Sequence, residues 1–125
     1  MIKGIGIDVV HVNRMDRWRK VPGLLDRFFH PEELSAALAR GTGVTLALAA
    51  RFAAKEAFGK ALGTGLAGIV LKDIVVRNRH NGRPEMQVYG TALAALNQSG
   101  TDCVHLSLTH EKDNAIAMVV LEKRP

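Results

Sequence analysis

Five segments of the chain carry the residue patterns of β-strands. In the first, apolar side chains alternate with Gly4, Gly6 and Asp8, which is the period of a half-buried strand. The fourth repeats that alternation, and the fifth is an almost wholly apolar run typical of a buried strand. The predicted strands cover residues 2–10, 73–79, 85–89, 103–109 and 114–121, with connecting turns at 80–84 and 110–113.

Helical patterns fill most of the remaining chain. Asn13 is a suitable cap for a short basic helix that ends before Pro22, and Pro31 followed by two glutamates marks another helix start. The other predicted helices cover residues 23–29, 42–62 and 90–98, and the helix that begins at Pro31 is expected to end near Gly41. This order predicts one α+β domain over residues 1–125, with an antiparallel-rich sheet packed against one long helix and several short helices.

The first strand places Gly4, Gly6 and Asp8 on the face opposite Ile5 and Ile7. Two glycines beside an acidic residue leave room for another group to approach the strand backbone closely. Taken alone, the strand favours a simpler interpretation, in which Asp8 accepts hydrogen bonds from a neighbouring turn.

The longest predicted helix contains one acidic residue, Glu56, in apolar surroundings. An ion pair with Lys60, four residues later, would be worth only about 0.2–0.5 kcal/mol on an exposed helix. A buried carboxylate needs a cation, strong hydrogen bonds or a metal ion. Asp8 together with Glu56 would supply the oxygen ligands that Mg²⁺ prefers, and Lys60 would supply a positive charge for a phosphate.

Composition narrows the classes of partner. The net charge of +5 and isoelectric point near 9.8 indicate an acidic partner, while four Phe, one Trp and one Tyr offer few stacking surfaces for nucleic acid. The longest apolar run is interrupted by Arg51 and Lys55, so no membrane span is expected. The single cysteine, Cys103, is expected to be a small buried residue. A chain with one cysteine is also typical of a cytoplasmic protein.

Four motifs resemble the holo-acyl-carrier-protein synthases, which are small 4′-phosphopantetheinyl transferases. They are GIGIDVV at 4–10, RFAAKEAFGKALGTG at 51–65, NGRP at 81–84 and SLTHEKDNAIAMVV at 107–120. The resemblance implies Mg²⁺-dependent transfer of 4′-phosphopantetheine from coenzyme A to a serine of apo acyl carrier protein, with release of adenosine 3′,5′-bisphosphate, in support of fatty acid biosynthesis. It also implies a homotrimer whose active sites lie between neighbouring subunits.

The same resemblance assigns roles to residues. Asp8 and Glu56 would bind Mg²⁺ and, with Lys60, form the catalytic group, and Arg51 and His110 would contact phosphates. The whole set implied to bind coenzyme A is Arg51, Lys60, Gly63, Thr64, Gly65, Asn81, Gly82, Arg83, Pro84, Thr109 and His110. The histidines other than His110 have no convincing metal-ligand spacing and are expected to be structural or solvent-facing.

The early basic segment would dock on the acidic acyl carrier protein, through Arg14, Arg17, Trp18, Arg27 and Phe28. Without the other motifs, a solvated basic helix would be the better interpretation. Two rival functions remain at this stage. One is a nucleic-acid-binding module, supported by charge alone; the other is a catalytically silent subunit that binds carrier protein.

Overall fold

Five strands and five α-helices make up the fold, and the computed structural model describes all 125 residues. A short 3₁₀ turn precedes the longest helix (Gly41–Gly43), and another precedes the second strand (Leu71–Asp73). The elements in chain order are β1 (Ile2–His11), α1 (Val12–Arg19), α2 (Leu24–Phe28), α3 (Pro31–Leu38), α4 (Val44–Leu62), β2 (Ile74–Asn78), β3 (Pro84–Val88), α5 (Gly90–Gln98), β4 (Cys103–Glu111) and β5 (Asn114–Glu122).

The strands are all paired antiparallel, in two separate sheets. One has the order β1-β5-β4, and the other is the hairpin of β2 and β3. Helix α4 packs on the inner face of the three-stranded sheet, mainly against β1 and β5. The α+β prediction is therefore confirmed, with the difference that the strands form two sheets. None of the helices combines the length and apolar character needed to cross a membrane.

Element ends differ from the sequence prediction where a side chain or a turn decides them. His11, rather than Asn13, caps α1, because its Nδ1 accepts a hydrogen bond from the Asn13 N–H at 3.1 Å. The 3₁₀ turn delays the start of α4 to Val44. The last hairpin is tighter than predicted, since β4 runs to Glu111 and β5 starts at Asn114.

Helix α4 is buried over most of its circumference, as its apolar composition predicts. Twelve of its 19 residues are buried, and many of them are alanines that allow a close approach to the sheet. The inner face of β5 meets the helix with Ala115, Ala117, Val119 and Leu121, all of them at most 1% exposed. The helix is thus held at a fixed position over the sheet.

A completely buried ion pair connects α4 to α3 and β2. The Lys55 Nζ donates to Glu33 Oε1 at 2.7 Å and to the carbonyl oxygens of Leu71 and Ile74 at 2.9 and 2.6 Å. The other oxygen of Glu33 accepts from the Val76 N–H at 3.1 Å. Burial lowers the pKa of Lys55, and the Glu33 carboxylate opposes that shift. Every donor of the ammonium group therefore has a partner.

Replacing Lys55 by methionine is expected to lower the free energy of unfolding by about 3–5 kcal/mol, because Glu33 would stay buried without its counter-charge. Chemical denaturation followed by circular dichroism measures this. The double variant Lys55→Met/Glu33→Gln should recover part of the loss, since no unpaired charge remains. A single variant within about 1 kcal/mol of the wild type would contradict this role for the pair.

Candidate active site

The two glycines of β1 allow the backbone of α4 to lie directly on the strand. A Cβ atom at Gly6 would stand 2.0 Å from the Ala57 carbonyl oxygen, and one at Gly4 would stand 2.0 Å from that of Ala61. No side chain other than hydrogen fits at either position. The group that approaches β1 closely is therefore the helix backbone, and the contact brings Asp8 beside the exposed side of α4.

Gly6→Ala is expected to destabilise the protein by about 3 kcal/mol or more, because the obstacle is helix backbone and cannot rotate away. Gly43→Ala is the matched control: its Cβ would meet only Arg40 Cβ at 3.6 Å, and we expect a change below about 1 kcal/mol. Denaturant unfolding of both variants checks the difference. Equal stabilities would show that the strand and the helix can separate without cost.

Asp8 and Lys60 form an ion pair at the edge of this contact. The Lys60 Nζ lies 2.8 Å from Asp8 Oδ1 and 3.1 Å from the carbonyl oxygen of Ile7. The hydrogen bond to Asp8 raises the pKa of Lys60. Lys60 thus bonds to Asp8 and not to Glu56, so the ion pair within the helix that the sequence suggested does not form. Lys60 remains half exposed, with its ammonium group accessible to a ligand.

Glu56 is half-buried next to this pair. Burial raises its pKa, and repulsion from Asp8 raises it further, while Arg14 and Lys60 act in the opposite direction. The Arg14 guanidinium lies 4.9 Å from the centre of the Phe52 ring and 5.2 Å from that of Trp18. Two carboxylates that repel each other beside accessible solvent fit a divalent cation bound through oxygen.

The second candidate region contains Arg51, which is only 5% exposed. Its Nη1 donates to the Ala47 carbonyl at 3.3 Å, whereas its Nε has no hydrogen-bond partner. Burial lowers the pKa of Arg51. A buried cation with an unpaired N–H is suited to an anionic ligand.

A cleft of about 320 Å³ opens beside Arg51, at the low end of the range for ligand pockets. Its lining includes Gly82, Pro84 and His110, three residues implied by the resemblance. It also includes Arg40 and Asn78, which sequence reasoning missed. Arg40 comes from the segment between α3 and α4 and Asn78 from the end of β2, and no motif in the sequence signals that these two segments meet at the cleft.

Two of the implied turns are held by their own hydrogen bonds. Asn81 Oδ1 accepts from the Arg83 N–H at 3.0 Å, and Gly82 has a φ of +85° that favours glycine. After α4, the N–H groups of Gly63 and Gly65 donate to the Lys60 and Gly59 carbonyls, both at 3.0 Å. These two amides end the helix, so their N–H groups are not available to a phosphate as the sequence suggested.

The implied site residues lie on opposite flanks of α4. Asp8 belongs to β1 and His110 to β4, the two edges of a sheet whose middle strand is β5. Around the helix, Glu56 and Arg51 are about 140° apart. The Gly63–Gly65 turn is about 18 Å along the helix from Arg51, and Thr109 points away from α4, since it alternates with His110. The implied residues of one chain therefore form two separate groups, on the Asp8 flank and on the Arg51 flank of α4, which we call the two half-sites.

The residues implied to dock a partner differ in exposure. Trp18 packs on Phe28 and Phe52, with ring centres 4.9 and 4.8 Å apart. Both Trp18 and Phe28 are half-buried, so these rings hold α1 against α2 and α4. Arg17 and Arg27 are exposed. The cations, more than the aromatic rings, are available for a partner.

The chain is similar to known proteins over nearly its whole length. The chain matches the 4′-phosphopantetheinyl transferase superfamily over residues 4–119. It is 57% identical over 122 residues to a holo-[acyl-carrier-protein] synthase from Treponema denticola, covering 98% of this chain and 99% of that relative. Solved structures include the synthase of Neisseria meningitidis, with 39% identity, a TM-score of 0.85 and coverage of 98% and 100%. The synthase of Bacillus anthracis in complex with CoA (3′,5′-ADP) has 36% identity, a TM-score of 0.82 and 99% coverage of both chains.

The family match spans most of the chain, and the relatives are matched over nearly their full length. The sequence and the fold therefore indicate the same family. The chain belongs to the 4′-phosphopantetheinyl transferase superfamily, among its holo-[acyl-carrier-protein] synthases.

Proposed function

We propose that the protein transfers 4′-phosphopantetheine from coenzyme A to a serine of apo acyl carrier protein, in a Mg²⁺-dependent reaction that releases adenosine 3′,5′-bisphosphate. The observation that carries the proposal is the convergence of Asp8 and Glu56 from two distant elements, with the Lys60 ammonium 2.8 Å from Asp8. We place the reaction in the cytoplasm, in support of fatty acid biosynthesis.

Asp8 and Glu56 would hold the Mg²⁺ ion. When bound, the ion stabilises negative charge on the pyrophosphate oxygens of coenzyme A. The fit rests on the donor set: two carboxylates without His or Cys are ligands for a hard cation. Burial, followed by repulsion from Asp8, raises the pKa of Glu56, and a bound cation would relieve that repulsion.

The protein's own cations account for the rest of the phosphate chemistry. Lys60 keeps its ammonium group accessible while Asp8 fixes its position, so it can face the charge that develops on the attacked phosphate. Arg51 has an N–H without a partner in the second half-site and would bind a further phosphate of coenzyme A. The attacking hydroxyl belongs to the carrier protein, and positioning supplies most of the remaining rate enhancement.

The two half-sites support a homotrimer with active sites between subunits. A complete site requires the Asp8 flank of one copy to meet the Arg51 flank of the next. The two flanks of each chain are on opposite edges of the sheet. A single two-fold interface therefore cannot complete the sites of both subunits, whereas a closed ring completes the site of every subunit. The smallest such ring is a trimer.

The outer face of the three-stranded sheet also supports assembly. Ile5, Ile7, Val9 and Met118 project from it and are 62, 57, 54 and 42% exposed. In register, Ile7 pairs with Met118 and Val9 with Ile116, so the apolar side chains form one continuous surface. Three sheets arranged around a common axis would bury these surfaces against one another.

The cations of α1 and α2 would guide the acidic carrier protein to the Asp8 flank. Arg14 acts on Glu56 electrostatically, and Arg17 lies on the next turn of the same helix. Arg27 adds a third positive charge from α2. Electrostatic attraction of this kind speeds association and weakens with salt.

The direct test is a mass-shift assay with purified protein, coenzyme A, Mg²⁺ and a panel of apo carrier proteins. The expected product is a carrier protein heavier by one phosphopantetheine group, formed together with adenosine 3′,5′-bisphosphate. Omission of Mg²⁺ is the control for metal dependence. Absence of a mass shift across the panel would reject the proposal, and salt-sensitive binding of nucleic acid without binding of coenzyme A would favour the rival function.

A further inference from the structure

Three side chains that can ligate a metal meet on the outer face of the sheet, apart from both half-sites. Cys103 and His105 are two residues apart on β4, so their side chains project to the same side. Glu122 on β5 is the register partner of Cys103. The pairing of the two strands therefore places a thiol, an imidazole and a carboxylate next to one another.

The distances within this group, which we call the Cys103 cluster, are close to those of ligands that share one ion. Cys103 Sγ lies 3.4 Å from His105 Nε2, and that nitrogen lies 2.9 Å from Glu122 Oε1. The ligand atoms of all three residues are within 4.8 Å of one another. In a tetrahedral zinc site, pairs of S, N and O ligands are separated by about 3.4–3.6 Å.

We propose that Cys103, His105 and Glu122 form a binding site for a transition-metal ion of the Zn²⁺ class, with a fourth position left to solvent. Asp102, the acidic neighbour in sequence, is not a fourth ligand, because its carboxylate accepts hydrogen bonds from Lys123 Nζ and the Arg124 N–H. In the single chain the side chains of His105 and Glu122 are 50% and 34% exposed, and the cluster lies on the β4 side of the outer face, next to the apolar surface that the proposed trimer would bury.

A simpler account of the cluster is an ion pair between His105 and Glu122 on neighbouring strands. That account leaves the thiol unexplained. Cys103 was expected to be a small buried residue, but it is only half-buried and contacts the imidazole. His105 was expected to have no metal-ligand partner, and it has two candidates. Glu122, the third candidate ligand, is 17 residues away from His105 in the chain, so the spacing of residues in the sequence does not reveal it.

The Cys103 cluster and the Asp8–Glu56 site would prefer different metal ions. Thiolate and imidazole favour zinc, cobalt and related ions, whereas the carboxylates of Asp8 and Glu56 favour Mg²⁺. Excess Mg²⁺ should therefore not displace an ion from the Cys103 cluster. All three ligands come from one chain, and the inference does not rest on the proposed transfer reaction.

Titration of the full chain, purified without a metal-binding tag, with Co²⁺ in excess Mg²⁺ tests the proposal. We expect one equivalent of Co²⁺ per chain and a near-ultraviolet absorption band from thiolate coordination. Cys103→Ser should remove the band, and His105→Ala and Glu122→Gln should each weaken binding about 10-fold or more. Zn²⁺ should displace the Co²⁺ and abolish the band.

The matched control is Asp8→Asn, which should leave the cobalt band unchanged while it removes a ligand of the other site. No thiolate band in the wild type would overturn the proposal. A band of unchanged strength and affinity in both His105→Ala and Glu122→Gln would also overturn it, because the thiol alone would then be the ligand. Circular dichroism and size-exclusion chromatography should show an unchanged fold and an unchanged assembly state in each variant.

Discussion

Replacement of Glu56 by glutamine is expected to lower the rate of phosphopantetheine transfer by about 10³-fold or more. A bound metal ion stabilises transition-state charge by several kcal/mol, and each 1.36 kcal/mol corresponds to a factor of ten. Asp8→Asn should have a similar effect. Single-turnover mass spectrometry of the carrier protein measures both rates, and near-normal rates in the two variants would reject the assignment of the metal site.

The Glu56→Gln substitution should leave the metal-free protein at least as stable as the wild type. Because the folded-state pKa of Glu56 is raised above 4.5, its ionised form costs stability at neutral pH, and the cost disappears as the pH falls through the folded-state pKa. With allowance for its partial exposure, we expect the stability of the Glu56→Gln variant at pH 7 to equal or slightly exceed that of the wild type, as measured by denaturant unfolding. A large loss of stability would instead mean that Glu56 is needed for folding, and the rate loss would then say nothing about a metal.

Mixing two inactive variants is expected to restore activity. Glu56→Gln disables the Asp8 flank, and Arg51→Met disables the opposite flank while keeping an apolar side chain in the buried position. In a ring where each site combines flanks of two neighbours, random co-assembly of equal amounts gives intact sites at about one quarter of the positions. Activity should therefore rise from near zero to about a quarter of the wild-type value.

Co-expression of the two variants with different tags isolates the mixed assemblies. Each mixed trimer has one intact site of three, so the isolated fraction should show about one third of the wild-type activity. The matched control combines Glu56→Gln with Asp8→Asn, two changes on the same flank, which should restore nothing in any mixture. If the opposite-flank mixture also stays inactive although the mixed assembly forms, each site is contained within one chain. His110→Ala provides a second variant of the Arg51 flank in case Arg51→Met is poorly folded.

Much of the fold could be predicted because its signals are local. The alternation of Val104, Leu106 and Leu108 with polar residues identified β4 and its inner face, and the glycines after Leu62 marked the end of α4. The glycines of β1 predicted a close approach, although not that the approaching group is a helix. The pairing of Asp8 with Glu56 also came from the sequence, through residue type and the resemblance.

The remaining features depend on partners that are far apart in the chain. Arg51 and Lys55 looked like interruptions in an apolar run, yet both are buried, and the ion partner of Lys55 is 22 residues away on another helix. The separation of the site into two flanks follows from how α4 crosses the sheet, and helical periodicity alone cannot give that orientation. His11 became a cap because β1 continues directly into α1, which left no room for the predicted Asn13 cap.

The position of α4 between the two half-sites has a thermodynamic consequence for the proposed assembly. A ligand that bridges both flanks binds only the assembled protein, so coenzyme A and subunit association must promote each other by the same factor. The apparent affinity for coenzyme A would then increase with protein concentration. Specific activity would fall on dilution, and an inhibitor that occupied the joined site would hold the subunits together.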